Sequence, residues 1–131
     1  MKVVALDYGR ARTGVAVSDP TGTVARPLCV VERASTEGGL AELARLIGEE
    51  EAERVVVGLP LTMGGERGEQ ARETEEFVRA LGAVTDVPVV TYDERFTTDL
   101  AEQAPASAPE DARAAAHLLS GYLTWLSGPA A

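Results

Sequence analysis

The sequence predicts an α/β fold in which helices flank a mixed five-stranded sheet. Two observations support this fold class. Three strand-like segments follow one another near the N-terminus with only short turns between them, and helical and strand-like segments alternate in the rest of the chain. A three-strand meander followed by βα crossovers places antiparallel and parallel strands in the same sheet. The 131 residues suit a single domain spanning residues 1–131.

The first two strands are expected to form a hairpin over residues 2–18. KVVALD is typical of a buried strand, GVAVSD of its partner, and GRART of the tight turn between them, with Gly9 and Gly14 at its edges. TVARPLCVVER predicts the third strand. Pro27 within it indicates an edge position or a local irregularity, because proline cannot donate a hydrogen bond to a neighbouring strand.

The remaining elements alternate between helix and strand. Apolar residues at helical spacing predict three helices, and two short apolar runs predict the strands between them. Ser107 and Pro109 are start signals for the last helix, and the segment before them is expected to be partly irregular. In chain order the segments are LAELARLIGEEEAE, RVVVGLP, QARETEEFVRALGA, VPVVTYDE and EDARAAAHLLSGYLTWL, with a loop at MGGERGE.

Charge and composition limit the possible functions. The net charge of −9 argues against a generic nucleic-acid binder, which is usually basic. Residues 1–34 nevertheless hold five basic residues against three acidic ones, so the acidity belongs to the remainder of the chain. The one cysteine, Cys29, excludes an internal disulfide and a cysteine-based zinc site and favours a reducing cytoplasm. No apolar run approaches the roughly 20 residues that span a bilayer, so no membrane partner is expected.

Acidic residues end two of the predicted parallel strands. Asp7 ends the first strand, and Asp93 and Glu94 end the last one. Gly58 and Pro60 end the strand that lies between them in sequence. In open α/β sheets, sites form beyond the carboxyl ends of the parallel strands. If these strands are neighbours, their terminal residues gather at one edge of the sheet.

The final helix contributes a further acid, Asp111. Its carboxylate is expected on the stripe of the helix that faces the sheet, pointing toward the strand ends. Small residues around it would allow the helix to approach the sheet closely. The stripe comprises Asp111, Ala115, Leu118, Tyr122 and Trp125, and the small residues are Ala112, Ala114, Ala115 and Ala116.

Each acid alone has a structural explanation. Asp7 fits a turn cap, Asp93 and Glu94 fit solvated loop charges, and Asp111 fits an interaction with a helix N-terminus. Several carboxylates that converge repel one another, however, and need a proton or a cation. Oxygen ligands without His or Cys favour Mg²⁺ or Mn²⁺, and two such ions are suited to phosphodiester hydrolysis. The lone histidine, His117, lies about 240° from Asp111 around the helix and so faces elsewhere. Without another histidine, a Ser–His or Cys–His hydrolase is disfavoured.

Four segments together resemble the YqgF family, also called RuvX: ALDYGRARTGVAVSDP, VVVGLPLTMGGERGEQA, YDERFTT and DARAAAHLLSGYL. The match runs in order along nearly the whole chain. Members of this family are described as candidate Holliday junction resolvases and as nucleases that process the 5′ end of the precursor of 16S ribosomal RNA.

The resemblance implies a ribonuclease H-like fold and divalent-metal-dependent cleavage of nucleic acid. It assigns metal-binding acids to Asp7, to the DER motif and to Asp111. Within the DER motif Glu94 is favoured over Asp93, because neighbouring strand residues face opposite sides of a sheet. Two ions, Mg²⁺ or Mn²⁺, are expected.

The same motifs assign supporting residues. Gly9 and Gly14 match a turn that lets a backbone approach closely, and Gly58, Leu59 and Pro60 match a GLP motif at the neighbouring strand end. Arg10, Arg12 and Arg95 are candidates for phosphate contact, alongside Gly9, and each also fits a solvated charge. Thr97 and Thr98 are candidates to orient Glu94 or to cap a short helix.

The resemblance leaves the substrate open between an rRNA precursor and branched DNA, with ribosome-associated factors as further candidate partners. One segment departs from the family pattern. Family members usually carry a longer, basic stretch between the DER motif and the final aspartate, whereas TDLAEQAPASAPE has no basic residue. Two other functions remain open: a non-catalytic module that binds RNA or protein, and a phosphate-binding domain of the sugar kinase, Hsp70 and actin type.

Overall fold

The computed structural model describes residues 1–60, 68–93 and 109–128. Within them five strands and three helices follow the predicted order, βββαβαβα. The elements are β1 (Val3–Asp7), β2 (Arg12–Ser18), β3 (Ala25–Glu32), α1 (Glu37–Glu49), β4 (Arg54–Leu59), α2 (Glu69–Gly82), β5 (Val89–Asp93) and α3 (Glu110–Leu126).

The strands form one mixed sheet in the order β3-β2-β1-β4-β5. β1 pairs with β2 and β2 with β3 in antiparallel fashion, so the meander occupies one half of the sheet. β4 pairs in parallel with both β1 and β5. β1 therefore lies at the centre of the sheet, where the two halves meet.

Strand alternation divides the core into two layers. Val4 and Leu6 of β1 pack with α1 and α2 on one face of the sheet. Val3 and Ala5 pack with α3 on the other. We call these the α1–α2 face and the α3 face. A side chain's parity along β1, β2 or β4 thus determines which helices it meets.

Several expectations from the sequence are confirmed. The mixed five-stranded sheet has the predicted topology, and α3 has the predicted bounds. β3 is an edge strand, and its pairing with β2 shifts register where Ala16 lies opposite Pro27, which explains how proline is accommodated there. No helix within the described residues is long and apolar enough to cross a membrane.

Two structural expectations are wrong. Gly14 lies inside β2 rather than at the edge of the hairpin turn, which ends where Arg12 begins the strand. Trp125 leaves 60% of its surface exposed instead of lying in the core. Its ring contacts the rings of Tyr92 and Tyr122 at centroid distances of 6.0 and 5.9 Å, beyond the last buried residue of α3, Leu123.

Candidate functional site

The carboxyl ends of the three parallel strands lie at one edge of the sheet. β1 ends at Asp7, β4 at Leu59 and β5 at Asp93. β4 and β5 are paired up to Leu59 and Asp93, and β1 and β4 are paired up to Leu6 and Val57. Gly58 pairs with Tyr92, and Pro60 follows directly after β4. The residues predicted to end the strands therefore start from adjacent backbone positions.

Because side chains alternate along a strand, each of these residues can be assigned to one face of the sheet. Asp7 follows Val3 and Ala5 in parity and so belongs to the α3 face. Tyr92 packs on that face too, so the next residue, Asp93, belongs to the opposite one. Tyr92 and Asp93 therefore point to opposite faces of the sheet, in the same way as the sequence argument assumed for Asp93 and Glu94. Glu94, Arg95, Thr97, Thr98 and Ser107 lie outside the described residues.

Gly14 brings the backbone of Asp111 next to Asp7. Gly14 is the cross-strand partner of Asp7 in the β1–β2 pair. A Cβ atom on Gly14 would lie 1.8 Å from the carbonyl oxygen of Asp111 and 3.0 Å from the amide nitrogen of Ala112. The first turn of α3 therefore occupies the space that any other residue at position 14 would fill. A glycine at this point allows the backbone of Asp111 to lie beside the end of β1.

Gly9 has a separate role in the β1–β2 turn. A Cβ atom at Gly9 would lie 2.5 Å from the carbonyl oxygen of Arg12, so the turn closes too tightly for a side chain there. The backbone N–H of Gly9 also approaches the Thr13 hydroxyl at 3.4 Å. Gly9 thus shapes the turn that carries Arg10 and Arg12, as the motif indicated.

Arg12 forms an ion pair with Asp111. Its Nε lies 3.2 Å from Oδ2 of Asp111, and the two side chains are 66% and 40% exposed. Arg12 shares the parity of Gly14 along β2, which turns its side chain toward the α3 face and the first turn of α3. The two residues line a groove of about 610 Å³ together with Val30, Glu32, Glu42, Pro109 and Glu110.

Arg10 binds carboxylates from the other helical layer. Its Nε donates to Oε2 of Glu73 at 2.8 Å, its Nη2 contacts Oε1 of the same residue, and Glu69 lies 3.9 Å away. The hydrogen bond from Arg10 lowers the pKa of Glu73. Tyr8 stacks on Phe77 with ring centroids 4.4 Å apart, which fixes the start of the turn against α2. A groove of about 500 Å³ is bordered by Tyr8, Arg10, Glu69 and Glu73.

Sequence reasoning missed Glu73 and Tyr8. Sixty-three positions separate Arg10 from Glu73, and Glu73 belongs to an acidic helix surface on which no local pattern distinguishes it. Only the fold, which places α2 beside the β1–β2 turn, identifies the pair. His117, by contrast, lies where the helix geometry predicted, away from Asp111, and lines a groove with Glu110, Arg113 and Ala114.

Two of the three acids that the motifs assign to metal binding, Asp7 and Asp111, lie within the described residues. Asp7 has the parity of the α3 face, and Asp111 lies in the first turn of α3, where its carboxylate forms the ion pair with Arg12. No group of three acidic, His or Cys side chains within the described ranges could hold a metal ion. The third carboxylate that the motifs assign, Glu94, falls outside those ranges. The donor chemistry, carboxylate oxygen without His or Cys, fits Mg²⁺ or Mn²⁺.

Comparisons with known proteins agree on one family. The family model RuvX, described as Holliday junction resolvase, matches residues 1–124. A Chloroflexus aggregans protein named as a candidate pre-16S rRNA nuclease is 44% identical over 130 residues, covering 92% of each chain. A protein of the same name from an Anaeromyxobacter species is 42% identical over 132 residues, covering 94% of this chain and 96% of its own.

Solved structures share the fold at low identity. Thermus thermophilus RuvC in complex with a Holliday junction substrate superposes with a TM-score of 0.67 at 18% identity, covering 98% of this chain and 96% of RuvC. The fowlpox virus Holliday junction resolvase gives a TM-score of 0.56 at 12% identity, covering 95% and 99%. These likenesses confirm the ribonuclease H-like fold class.

Proposed function

Because this chain belongs to the RuvX family, as its motifs indicated, we propose that it is an endonuclease that hydrolyses phosphodiester bonds in the precursor of 16S ribosomal RNA. The substrate follows from relatives that are about 40% identical over most of the chain. The observation that carries the catalytic part is the contact between Gly14 and the first turn of α3, which sets Asp111 beside Asp7. We take residues 1–131 as one domain, since the described strands form one sheet.

In this proposal Asp7, Glu94 and Asp111 hold the divalent ions, Mg²⁺ or Mn²⁺. Two bound ions would supply charge stabilisation for the attacking and leaving oxygens of the phosphodiester. Asp7 suits this role because it ends the central strand, whose other residues are fully buried and rigidly packed. Asp93 is the weaker candidate, since the alternation of β5 assigns it to the face opposite α3.

The substrate backbone would meet the β1–β2 turn. Arg10 and Arg12 flank the end of β1, and an arginine forms bidentate hydrogen bonds with a phosphate. Each is paired with a carboxylate in the protein alone, so substrate phosphates must compete with Glu73 and Asp111. Gly9 keeps the turn narrow, and Arg95 is the third proposed phosphate contact. Thr97 and Thr98 are proposed to orient Glu94.

Gly58 and Pro60 would shape the floor of the site. Gly58 has the parity of Val56, which faces α3, and it lies between the strands of Asp7 and Tyr92. We propose that the absence of a side chain lets neighbouring groups approach the sheet closely at this buried position. The half-buried free cysteine, Cys29, suits the reducing cytoplasm that we propose as the location, with ribosome-associated factors as candidate partners.

Resolution of Holliday junctions is the second candidate function. The matching family model carries that description, and the RuvC fold supports it at the level of architecture. A non-catalytic module with this fold is the third possibility. We disfavour it because the first turn of α3, which carries Asp111, packs on Gly14 beside the end of the strand that carries Asp7, an approach that a binding module does not need.

Cleavage of a substrate panel separates these functions. The panel contains a precursor 16S rRNA fragment, single-stranded DNA and a four-way DNA junction, each with Mg²⁺ or Mn²⁺. We expect cleavage of the rRNA precursor near its 5′ end and no cleavage by the Asp7→Asn variant. Preferred cleavage of the junction would instead support the resolvase.

Asp19→Asn is the matched control. Asp19 also follows a strand of the meander, at the opposite end of the sheet, but its carboxylate accepts hydrogen bonds from Thr21, Thr23 and Val24. These bonds hold its pKa well below the usual range and leave no need for a metal ion. Cleavage by Asp7→Asn at the rate of the Asp19→Asn control would contradict the assignment of Asp7.

A further inference from the structure

We propose that Arg12 is an exchangeable counter-ion, which neutralises Asp111 in the absence of a divalent cation and passes to a substrate phosphate when a divalent cation binds. This inference rests on the proposed function, because it takes Asp111 as a metal ligand. The exchange of Arg12 would couple metal binding to nucleic-acid binding, which membership of the family does not by itself imply.

The first step of the argument is the fixed position of Asp111. The carbonyl group of Asp111 lies against Gly14, so the first turn of α3 has no freedom to follow Arg12. Arg12 is the partner that moves, because it is 66% exposed and begins β2 at the rim of the turn. A long, exposed guanidinium can swing between two acceptors while the carboxylate stays in place.

The second step is the charge around the pair. Of the described residues that line the groove, Arg12 is basic and four are acidic: Glu32, Glu42, Glu110 and Asp111. A nucleic-acid phosphate is repelled from such a groove as long as the acids are uncompensated. A divalent ion on Asp111 reduces that repulsion and removes the charge that held Arg12.

The third step is the competition itself. The Arg12–Asp111 pair is partly exposed, with Nε 3.2 Å from Oδ2, and such pairs are weak. A divalent ion held by several carboxylates therefore displaces the guanidinium. Released, Arg12 can bind a phosphate in bidentate geometry. By linkage, metal and nucleic acid then strengthen each other's binding.

Arg10 provides the internal comparison. It starts from the same turn and also binds a carboxylate, but Glu73 belongs to α2 and is not a proposed metal ligand. A metal ion on the α3 face would leave the Arg10–Glu73 pair in place. Arg10→Gln should therefore weaken nucleic-acid binding to the same extent with and without metal, whereas Arg12→Gln should reduce the dependence of binding on metal.

The test measures binding rather than cleavage. Mn²⁺ affinity is determined by calorimetry on the protein alone, and affinity for a fluorescent structured RNA by anisotropy with EDTA or with Ca²⁺ as a non-cleaving probe ion. We expect Arg12→Gln to bind Mn²⁺ about threefold or more tightly than wild type. We also expect Ca²⁺ to raise the RNA affinity of wild type and Arg10→Gln, but to raise that of Arg12→Gln by much less.

An unchanged or weaker Mn²⁺ affinity of Arg12→Gln overturns the inference, as does a full Ca²⁺-dependent gain in its RNA affinity. Arg12→Lys, which keeps the charge, should restore part of that gain and so exclude a general structural effect. The two proposals fail separately. A wild-type chain that cleaves RNA with Mn²⁺ while Arg12→Gln shows unchanged metal affinity refutes the exchange alone. A chain that shows the coupling but cleaves no nucleic acid refutes the nuclease assignment alone.

Discussion

The two faces of the sheet are packed with side chains of different size, and the difference separates stability from function. Large buried residues fill the α1–α2 face, and small ones predominate where α3 begins. On the first face lie Leu6, Leu43, Ile47, Phe77 and Leu81; on the second lie Ala5, Gly14, Ala16, Ala112, Ala115 and Ala116.

The consequence is a difference in distance between backbones. α3 approaches the strands of the meander more closely than α1 and α2 approach the strands they cover. A close helix can deliver a carboxylate from its own first turn to the end of a central strand. The α1–α2 face has no such requirement, so it is filled as an ordinary core.

The largest expected effect tests this division directly. Gly14→Ala would place a methyl carbon 1.8 Å from the carbonyl oxygen of Asp111, and neither backbone can yield without moving α3. We expect a loss of nuclease activity of about 100-fold or more, because a displacement of about 1 Å is enough for that in a preorganised site. Overpacking should also cost about 1–3 kcal/mol of unfolding free energy. Activity at saturating Mg²⁺ and urea denaturation measure the two effects.

The control for this variant is Gly38→Ala. Gly38 lies in α1, where a Cβ atom meets nothing within 4 Å. Alanine there should leave activity unchanged and raise stability by at most about 0.5 kcal/mol, because Gly38 is the second residue of α1 and replacing glycine by alanine gains most in a helix interior. Equal activity of the Gly14 and Gly38 variants would show that the close approach of α3 has no catalytic purpose.

The second largest effect, a loss of stability, is expected on the α1–α2 face. Leu43 is fully buried between α1 and the sheet. Leu43→Ala should reduce the free energy of unfolding by about 2–5 kcal/mol, through lost burial and a residual cavity. The kcat of the folded fraction should not change, because the α1–α2 face contributes no proposed metal ligand. A fall in kcat at temperatures where the variant is fully folded would contradict the separation of the two faces.

Sequence analysis predicted the fold more completely than the site, although α1 begins at Glu37 and ends at Glu49 rather than spanning residues 40–53. The periodicity of apolar residues predicts which elements form and which side they bury, and it located α3 to the residue. It assigned Asp7 and Asp111 to a common edge because strand ends and helix faces follow from local geometry. The exposure of Trp125 was not predicted, since periodicity does not show where a helix extends beyond the sheet.

The contacts across the β1–β2 turn could not be predicted in this way. Gly14 was assigned to the turn because glycine is a turn residue, although its reason is the backbone of α3, 97 positions later in the chain. The pairs of Arg10 with Glu73 and of Arg12 with Asp111 likewise depend on how two helices cross the sheet. Surface arginines carry no local signal of their partners.

The smallest expected effects show how far the functional region of the α3 face extends. Tyr122 accepts a hydrogen bond from Arg54 Nη1 at 2.9 Å, and its hydroxyl is removed in Tyr122→Phe. Thr36 caps α1 by accepting from the Gly39 amide at 3.1 Å, and Thr36→Ala removes that cap. Each change should cost about 1 kcal/mol of unfolding free energy.

Neither variant should change kcat, although Tyr122 belongs to the same helix and face as Asp111. Tyr122 lies eleven residues along α3, roughly 16 Å from Asp111 at 1.5 Å per residue. If Tyr122→Phe lowers kcat while Thr36→Ala does not, the whole length of α3 positions the site. If both leave kcat unchanged, positioning is confined to the first turn of α3 and the glycine beneath it, and the rest of the α3 face acts as core.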